Sequence, residues 1–416
     1  MITFDFIKAA PKTDLHLHLD GSVRLQTLVE LAKENKVLLP SYTEDGLKQL
    51  VFKDTYRDLG EYLHGFQYTC AVMQTAEALE RVGYELAVDN ILEGVRYIEV
   101  RFAPQLHINA SLSAIDVLQS VHRGLARAAA EENARLEVQN GEIPKFHFGI
   151  IVCALRMFNE KFSSYYKKLL QVCAHTKARA VFGIASMELA QLAVAIRDEN
   201  EIPIVGFDLA GQEMGYPAED HREAFGYAHR YFLKKTIHAG EAYGPESIFQ
   251  AITECNADRI GHGMHLLNYA MIQDKSITDP RKYIEDLSQY IADRRITVEI
   301  CLTSNMQTNQ NLKDLAKHPL GMMIQRRLST TICTDNRTVS NTTVSDEIWK
   351  AVQTFAITPR VLRNIIIYGF KRSFFPGSYL EKRAYVRGVI DYYDKMASAH
   401  LGPHAVGPED DMPDSE

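Results

Sequence analysis

The segment TDLHLHLDGS, residues 13–22, places two histidines two positions apart at the end of an apolar run. The run is typical of a β-strand, in which side chains at i and i+2 lie on the same face. His16 and His18 therefore point in one direction, and Asp20 joins them if the strand continues. Such a pair is a candidate part of a metal site, so partners are expected elsewhere in the chain.

Seven more short runs rich in apolar and β-branched residues follow, and amphipathic helical patterns lie between the runs, at residues 25–35, 77–93, 113–133, 186–198, 246–254 and 281–294. Strands that alternate with helices indicate βαβ units and a parallel sheet, and eight units are the number in a (β/α)8 TIM barrel. The predicted fold is therefore an α/β barrel of this kind. Its predicted strands are residues 13–19, 95–102, 146–155, 204–210, 235–240, 259–263, 296–305 and 330–336.

Two connections are longer than one helix requires. Residues 36–94 contain an apolar helix face, at the i, i+3, i+4, i+7 positions Leu59, Tyr62, Leu63 and Phe66. This face belongs either to the core or to a lid inserted after strand one. Residues 156–203 are long enough for at least two helices, so an extra helix is predicted between strands three and four.

Composition limits the class of protein. Residues 1–400 are predicted to form one barrel domain, and the acidic, Pro- and Gly-rich residues 401–416 a disordered tail. A net charge of −7 argues against nucleic acid or an anionic membrane as the main partner. No stretch approaches the roughly 18 to 20 apolar residues of a membrane helix, and the N-terminus does not resemble a signal peptide. Six cysteines without a C-x-x-C pair fit a reducing compartment, so a cytoplasmic protein is expected.

Polar side chains lie at the carboxyl ends of the predicted strands, and these ends converge on one rim of a (β/α)8 barrel, where active sites form. Three imidazoles and one carboxylate are a familiar ligand set for zinc with a position left open for water. The side chains at these ends are His16, His18, Asp208, His238, Glu241, His262 and Asp335.

Five short motifs, TDLHLHLDGS, FDLAGQE, HAGE, RIGHG and the TD pair after strand eight, occur in the order and near the spacing of one family. Together they resemble the adenosine deaminase family, a metal-dependent branch of the amidohydrolase barrels, and the resemblance covers roughly residues 10 to 370. It implies hydrolysis of adenosine and 2′-deoxyadenosine to inosine and 2′-deoxyinosine with release of ammonia, as in purine salvage.

The resemblance also implies the roles of residues. His16, His18, His238 and Asp335 would hold one Zn²⁺ per subunit. Glu241 would protonate purine N1 as water attacks C6, and His262 would orient the attacking hydroxide, with Asp335 as a further catalytic residue.

For the substrate, the resemblance implies that Gly211 donates its backbone N–H to purine N3 and that Asp20 binds a ribose hydroxyl, with His18 beside it. Tyr62, Leu63 and Phe66 correspond to an apolar lid over the nucleoside.

One position departs from the commoner pattern of the family, which has two aspartates after strand eight. Here Asn336 follows Asp335. An asparagine amide can donate to purine N7 without any protonation, so Asn336 is compatible with a purine but leaves the preferred substrate open. Strand four contains no lysine for a carbamate bridge, which favours one metal ion, and the missing C-x-x-C excludes a cytidine deaminase site.

Several alternatives remain at this point. A sister enzyme could use the same site on adenine, an N6-modified adenine nucleotide or aminofutalosine. A non-catalytic relative would be expected to lose the ligands or Glu241, all of which are present. Another divalent ion could replace zinc. The expected partner is a small purine nucleoside, without nucleic acid or membrane, and the protein is expected to be a monomer or a homodimer.

Overall fold

The computed structural model describes residues 1–402. Most of the tail predicted to be disordered therefore lies outside the described residues. Leu401, where that tail was expected to begin, ends the last helix instead.

Eight parallel strands form one sheet whose spatial order follows the chain. The sheet closes where Leu17 pairs with Asp335, just beyond the last strand. At this junction the N–H of His18 donates to the Asp335 carbonyl at 2.8 Å, and the N–H of Asp335 donates to the His16 carbonyl at 2.8 Å. The predicted (β/α)8 barrel is thus confirmed. Its strands are β1 Lys12–His18, β2 Val95–Phe102, β3 His147–Leu155, β4 Ile204–Ala210, β5 Lys234–Ala239, β6 Arg259–His262, β7 Thr297–Ile300 and β8 Thr330–Ile332.

Helices surround the barrel, and several begin at residues that cap them. Ser113 and Ser378 each form a reciprocal capping box, which satisfies N–H groups left free at a helix start. Within residues 1–402 the helices are α1 Phe4–Ala9, α2 Leu25–Glu34, α3 Glu44–Leu50, α4 Leu59–His64, α5 Phe66–Val72, α6 Ala76–Leu92, α7 Ala114–Asn133, α8 Leu136–Gln139, α9 Ser164–Val172, α10 Ala178–Glu199, α11 Arg222–Arg230, α12 Pro245–Thr253, α13 Pro280–Asp293, α14 Leu302–Thr308, α15 Leu320–Gln325, α16 Val344–Thr354, α17 Pro359–Arg372 and α18 Tyr379–Leu401.

Several predicted elements differ from the structure. The strand predicted at 330–336 ends at Ile332. The strand predicted at 296–305 ends at Ile300, and α14 follows it. The turn into α14 lets its polar side chains bond to the barrel rim, where Ser304 Oγ donates to Asp335 Oδ2 at 2.6 Å. The apolar face that begins at Leu59 is divided between α4 and α5, which meet at Gly65.

The extra helix predicted between strands three and four is α9. It covers a small second core in which the rings of Phe158 and Tyr166 stack with centroids 4.1 Å apart. Ser163 Oγ donates to the Gln105 carbonyl at 2.7 Å, and Tyr166 Oη donates to Gln105 Oε1 at 3.0 Å. These bonds attach α9 to the loop that follows β2, on the rim side of the barrel.

Helix α10 corrects one expectation from the sequence. Its 22 residues include an 18-residue stretch with a mean hydropathy of 1.4, so it is long and apolar enough to cross a membrane by length and composition. Half of its apolar stretch is buried inside the protein, and its face through Leu189 and Ala193 belongs to the main core. A helix that packs against the barrel sheet can be as long and apolar as a membrane-spanning helix, and α10 is such a helix.

Lys12, the first residue of β1, supports a prediction about stability. Its side-chain nitrogen is buried and donates to the carbonyls of Ile7, Lys8 and Ala10 at 2.7, 3.0 and 2.9 Å. These carbonyls lie at the end of α1, where a helix lacks N–H partners. Lys12→Met should lower the free energy of unfolding by about 2–4 kcal/mol, because buried acceptors lose their donor.

Urea unfolding followed by circular dichroism measures this change. Lys8→Met, at an exposed position of the same helix, is the matched control and should change the free energy by about 0.5 kcal/mol or less. Equal stabilities for the two variants would contradict the role given to Lys12.

Candidate active site

The carboxyl ends of β1, β5 and β8 bring four predicted ligands together at the barrel rim. His18 Nε2 lies 3.1 Å from His238 Nε2 and 3.4 Å from Asp335 Oδ1. His16 Nε2 lies 3.5 Å from the same carboxylate oxygen. Ligands placed around one tetrahedral zinc at about 2.1 Å are separated by about 3.4 Å, so these distances fit a shared ion.

Buried carboxylates fix the tautomers of two of these histidines. His16 Nδ1 lies 2.8 Å from Glu299 Oε2, and His238 Nδ1 lies 3.2 Å from Asp208 Oδ1. Each carboxylate accepts the Nδ1 proton, which leaves Nε2 as a bare lone pair directed at the cluster. His16 Nε2 is buried and has no hydrogen-bond partner. A polar atom left in this condition is expensive unless something binds it, so the residues present fit a metal ion.

The carboxylates that hold the histidines are themselves held by arginine. Arg101 donates to Asp208 at 3.0 Å and to Glu299 at 2.9 Å, and Arg259 donates to Glu299 at 2.7 Å. Burial raises the pKa of Glu299, but Arg101 and Arg259 outweigh that effect and hold the pKa well below its usual value. For Asp208, burial is likewise outweighed by His238 and Arg101, so its pKa is also lowered. Both groups therefore remain carboxylates that can accept from histidine.

Sequence reasoning missed Arg101 and Glu299. Asp208 was noticed only as a polar residue at a strand end, and its bond to His238 was not. A signal for the other two was present, because charged residues inside otherwise apolar strands of a barrel must face its interior or its helices. Glu99 and Arg101 are two positions apart in β2 and so share a face, and Glu299 lies in β7.

His262 belongs to the cluster but is better suited to donate a hydrogen bond than to bind metal. The donor atoms of His16, His238, His262 and Asp335 all lie within 4.8 Å of one another, which makes His262 an alternative to His18 as fourth ligand. His18 is the better ligand, because its Nε2 makes the short contacts with His238 and Asp335 given above.

A chain of hydrogen bonds fixes the proton of His262. The backbone N–H of Leu320 donates to His318 Nδ1 at 3.1 Å, so the proton of His318 is on Nε2. That proton goes to Asn305 Oδ1 at 3.1 Å, which leaves the Asn305 amide to donate to His262 Nδ1 at 3.1 Å. His262 therefore carries its proton on Nε2, facing the cluster. Burial and His16 keep the pKa of His262 well below its usual value, so the ring is neutral.

Glu241 lies beside this proton. Its Oε2 is 3.8 Å from His262 Nε2, beyond hydrogen-bond distance, so the two groups do not bond to each other and both can bond to a reacting molecule placed beside them. Burial, followed by the charges of Asp335 and Glu213, raises the pKa of Glu241 well above its usual value. A buried acid of this kind can carry a proton at neutral pH and deliver it.

Backbone strain marks two residues of the site. His262 and Asp335 both have φ of +62°, in the left-handed region that residues other than glycine rarely occupy. Such a conformation costs about 1–3 kcal/mol, and it persists where the surrounding structure enforces it. The two residues that leave β6 and β8 are therefore aimed by their backbone at the cluster.

Of the predicted substrate residues, Asp20 lies next to the cluster and Gly211 lies on the same rim of the barrel. Asp20 Oδ1 is 4.0 Å from His18 Nδ1 and is buried without a hydrogen-bond partner. Burial raises the pKa of Asp20 to about 7. Gly211 follows β4 directly and has φ of +96°, a conformation that glycine adopts without strain.

Asn336 joins the barrel to the segment predicted as a lid. Its amide nitrogen donates to Tyr62 Oη at 2.8 Å, and Tyr62 Oη lies 2.8 Å from Ser340 Oγ. Asn336 Oδ1 is buried without a partner. Gly21 permits this packing, because a Cβ there would lie 1.7 Å from Asn336 Oδ1. The bond from Asn336 to a purine remains a prediction.

The other two predicted lid residues, Leu63 and Phe66, make no hydrogen bond to the described residues around the cluster. Leu63 and Phe66 are half-buried and pack against the main core, and the ring of Phe66 lies 6.4 Å from that of Tyr62. Of the three lid positions, only Tyr62 makes a hydrogen bond to a residue next to the cluster.

A parallel barrel whose carboxyl rim carries histidines, a carboxylate and a buried acid is the arrangement of amidohydrolase-fold hydrolases. Solved structures agree on the fold. An amidohydrolase from Burkholderia ambifaria with bound Zn matches with a TM-score of 0.74 at 18% identity, covering 96% of this chain and 95% of that one. The N6-mAMP deaminase MAPDA of Arabidopsis matches with a TM-score of 0.70 at 23% identity, covering 93% and 99%.

Sequence comparison identifies the family. The family model described as adenosine deaminase matches residues 11–392. The adenosine deaminase of Mycobacteroides abscessus is 36% identical over 391 residues, which cover 92% of this chain and 95% of the relative. A probable adenosine deaminase of Dictyostelium discoideum is 35% identical over 374 residues, but the chain spans only 42% of its length. The chain belongs to the adenosine deaminase family, hydrolases that act on an amidine C–N bond.

Proposed function

We propose that this protein deaminates adenosine and 2′-deoxyadenosine, giving inosine or 2′-deoxyinosine and ammonia. The observation that carries the proposal is the cluster itself, in which Glu241 and the Nε2 proton of His262 face each other across 3.8 Å beside the four candidate ligands. The match to relatives named adenosine deaminase over 90% or more of this chain supports the same substrate. A role in purine salvage follows from this reaction.

The proposed cofactor is one Zn²⁺ per subunit, held by His16, His18, His238 and Asp335. Three neutral imidazoles and one carboxylate suit this ion. When bound, zinc lowers the pKa of water to about 7 and so supplies a nucleophile at neutral pH. Burial raises the pKa of Asp335, but a proton carried by His16, which metal binding would displace, outweighs this effect and lowers it, so the residue is present as the carboxylate.

The protein's own residues supply the rest of the chemistry. A purine carbon that bears an amino group is a poor electrophile until the neighbouring ring nitrogen is protonated. Glu241 delivers that proton to N1, then takes one from the attacking water and passes it to the departing amine. His262 donates from Nε2 toward the attacking oxygen, and Asn305 keeps the ring in that tautomer.

We also propose how the nucleoside is held. Asp20, with a buried oxygen that lacks a donor, accepts from a ribose hydroxyl, and His18 lies beside it. Gly211 donates its N–H to N3, and Asn336 donates to N7. Tyr62, Leu63 and Phe66 cover the base and exclude water, which strengthens every electrostatic contact inside the site.

A specific observation keeps a second candidate in view. Asn336, buried beside the cluster, replaces the second aspartate of the commoner family pattern, and the barrel also resembles an N6-mAMP deaminase. A sister reaction on adenine, aminofutalosine or an N6-modified adenine nucleotide would use the same hydrolytic step. The carboxylate of Asp20 would repel a phosphate placed next to it, which favours a nucleoside.

We place the enzyme in the cytoplasm as a monomer or homodimer, with a small molecule as its partner and neither nucleic acid nor membrane.

A substrate panel tests the proposal. The values of kcat/KM are compared for adenosine, 2′-deoxyadenosine, adenine, AMP and N6-methyl-AMP, from the absorbance change or the amine released. Adenosine and 2′-deoxyadenosine should exceed the other three by about a hundredfold or more, because adenine lacks the hydroxyl proposed to bind Asp20 and the two nucleotides carry a phosphate that Asp20 would repel. If both nucleosides were poor by that margin, the sister reaction would replace the proposal.

The hydrogen-bond chain to His262 gives a further prediction. Asn305→Asp introduces a carboxylate that accepts from both His318 and His262, which moves the His262 proton to Nδ1. Loss of one donor directed at the reacting oxygen should lower kcat by about a hundredfold with little change in KM.

Asn311→Asp adds the same charge at an exposed position of the same connection. It is the matched control and should leave kcat unchanged. Nitrogen NMR of the imidazoles reports the tautomer directly. If the tautomer of His262 were unchanged in Asn305→Asp, the hydrogen-bond chain through Asn305 would not be what sets the position of the His262 proton.

A further inference from the structure

Glu213, three residues beyond the end of β4, has a carboxylate that accepts five hydrogen bonds. One oxygen accepts from the N–H groups of Glu241, Ala242 and Tyr243 at 3.0, 2.7 and 3.0 Å. The other accepts from the N–H of Gly240 at 2.8 Å and from Ser247 Oγ. The side chain is 4% exposed, so water does not compete for these bonds.

The five donors belong to one loop and the helix after it. Residues 240–243 present four consecutive N–H groups to one anion, an arrangement known as a nest. Gly240 has φ of +69°, and a Cβ there would lie 2.6 Å from Ile248, so the loop leaves β5 through a narrow, left-handed turn. A turn of this kind is held in place by its anion, because its N–H groups have no partners in a helix or sheet.

Arg156 holds the other side of the same loop. It is buried, and its guanidinium donates to the His238 carbonyl at 2.7 Å and to the Tyr216 carbonyl at 2.6 Å. His238, the metal-ligand candidate before the loop, is therefore fixed through its carbonyl. Glu241, three residues later, is fixed through its N–H. Glu241 is the residue whose backbone is bound to Glu213 and whose side chain faces the reacting atoms.

We propose that Glu213 is a positioning residue for the deamination step, and that its carboxylate fixes the backbone from which the Glu241 side chain reaches N1. The inference rests on the proposed function. A displacement of about 1 Å in a group that transfers a proton can cost about a hundredfold in rate. Because the carboxylate of Glu213 contacts only the loop backbone and Ser247 and is not among the groups proposed to hold the nucleoside, its loss should affect turnover more than binding.

The test compares three variants and one control in the zinc-loaded enzyme. Glu213→Gln keeps the size of the side chain but turns an NH₂ toward the N–H of Gly240, and kcat for adenosine should fall about 30- to 100-fold with KM within about threefold. Ser247→Ala removes a single bond to the same carboxylate and should lower kcat by about threefold or less. Glu213→Asp restores a carboxylate with a shorter reach and should recover part of the loss. Glu219→Gln, exposed in the same connection, should match the wild type.

Hydrogen–deuterium exchange supplies a readout that does not depend on catalysis. In Glu213→Gln, exchange at residues 240–243 should accelerate at least tenfold, while α6, α7 and bound zinc remain as in the wild type. Unchanged exchange in this loop, or an unchanged kcat in a folded Glu213→Gln enzyme, would overturn the positioning role. A fall in melting temperature with normal kcat for the folded fraction would also overturn it, in favour of a structural role alone. Faster exchange in a protein whose wild type does not deaminate adenosine would refute the proposed function and not the contact between Glu213 and the loop.

Discussion

Glu241→Gln is expected to lower kcat for adenosine by about a thousandfold or more, the largest effect of any conservative change in this protein. The amide has the shape of the acid but cannot give a proton to N1 or take one from the attacking water. The buried setting that raises the pKa of Glu241 makes the carboxyl a proton carrier near neutral pH. Because Glu241 lies outside the proposed ligand set, zinc content and substrate KM should remain near the wild-type values.

Steady-state kinetics, zinc analysis and circular dichroism on one preparation measure all three properties. Glu285→Gln, exposed on α13, is the matched control and should be as active as the wild type. If Glu241→Gln kept most of its activity, another group would have to deliver the proton, and the mechanism proposed here would be wrong.

His238→Ala should remove both metal and activity. His238 lies at the carboxyl end of β5, 3.1 Å from His18 through their Nε2 atoms, and Asp208 fixes its tautomer. Without it the proposed ion loses one of four protein ligands, so zinc should fall well below about one per chain and kcat/KM should drop by at least about a thousandfold. Mass spectrometry of the dialysed protein measures the metal.

His229→Ala, exposed on α11, controls for loss of an imidazole and should keep zinc and activity. Added zinc should not restore His238→Ala, whereas it should restore wild-type enzyme treated with a chelator. A His238→Ala enzyme that still bound one zinc per chain would show that the ion is held elsewhere.

Much of the site follows from elementary periodicity. His16 and His18 share a face because a strand repeats every two residues, and the rim of a parallel barrel then gathers His238, His262 and Asp335 from distant segments. The structure places all five within one cluster. Their spacing along the chain carries no such information until the fold is known.

Other features depend on tertiary context that local pattern does not contain. The segment after Ile300 reads as strand because Cys and Thr suit a sheet, yet it turns into α14 so that Ser304 and Asn305 reach the rim. The left-handed backbone of His262 and Asp335 is likewise fixed by the surroundings, since histidine and aspartate tolerate this conformation better than most residues but seldom adopt it. The contacts of Glu213 cross from one barrel loop to the next, and no period in the sequence predicts them.

The junction between the first strand and the segment after the last one sets the order of events during synthesis. His16 and His18 are synthesised more than 300 residues before Asp335, whose carboxylate completes their grouping and whose backbone closes the sheet against them. A ribosome must therefore add all of the intervening chain before the site can exist. Truncated products that end before Asp335 should therefore be inactive, even if they contain all the other residues of the site.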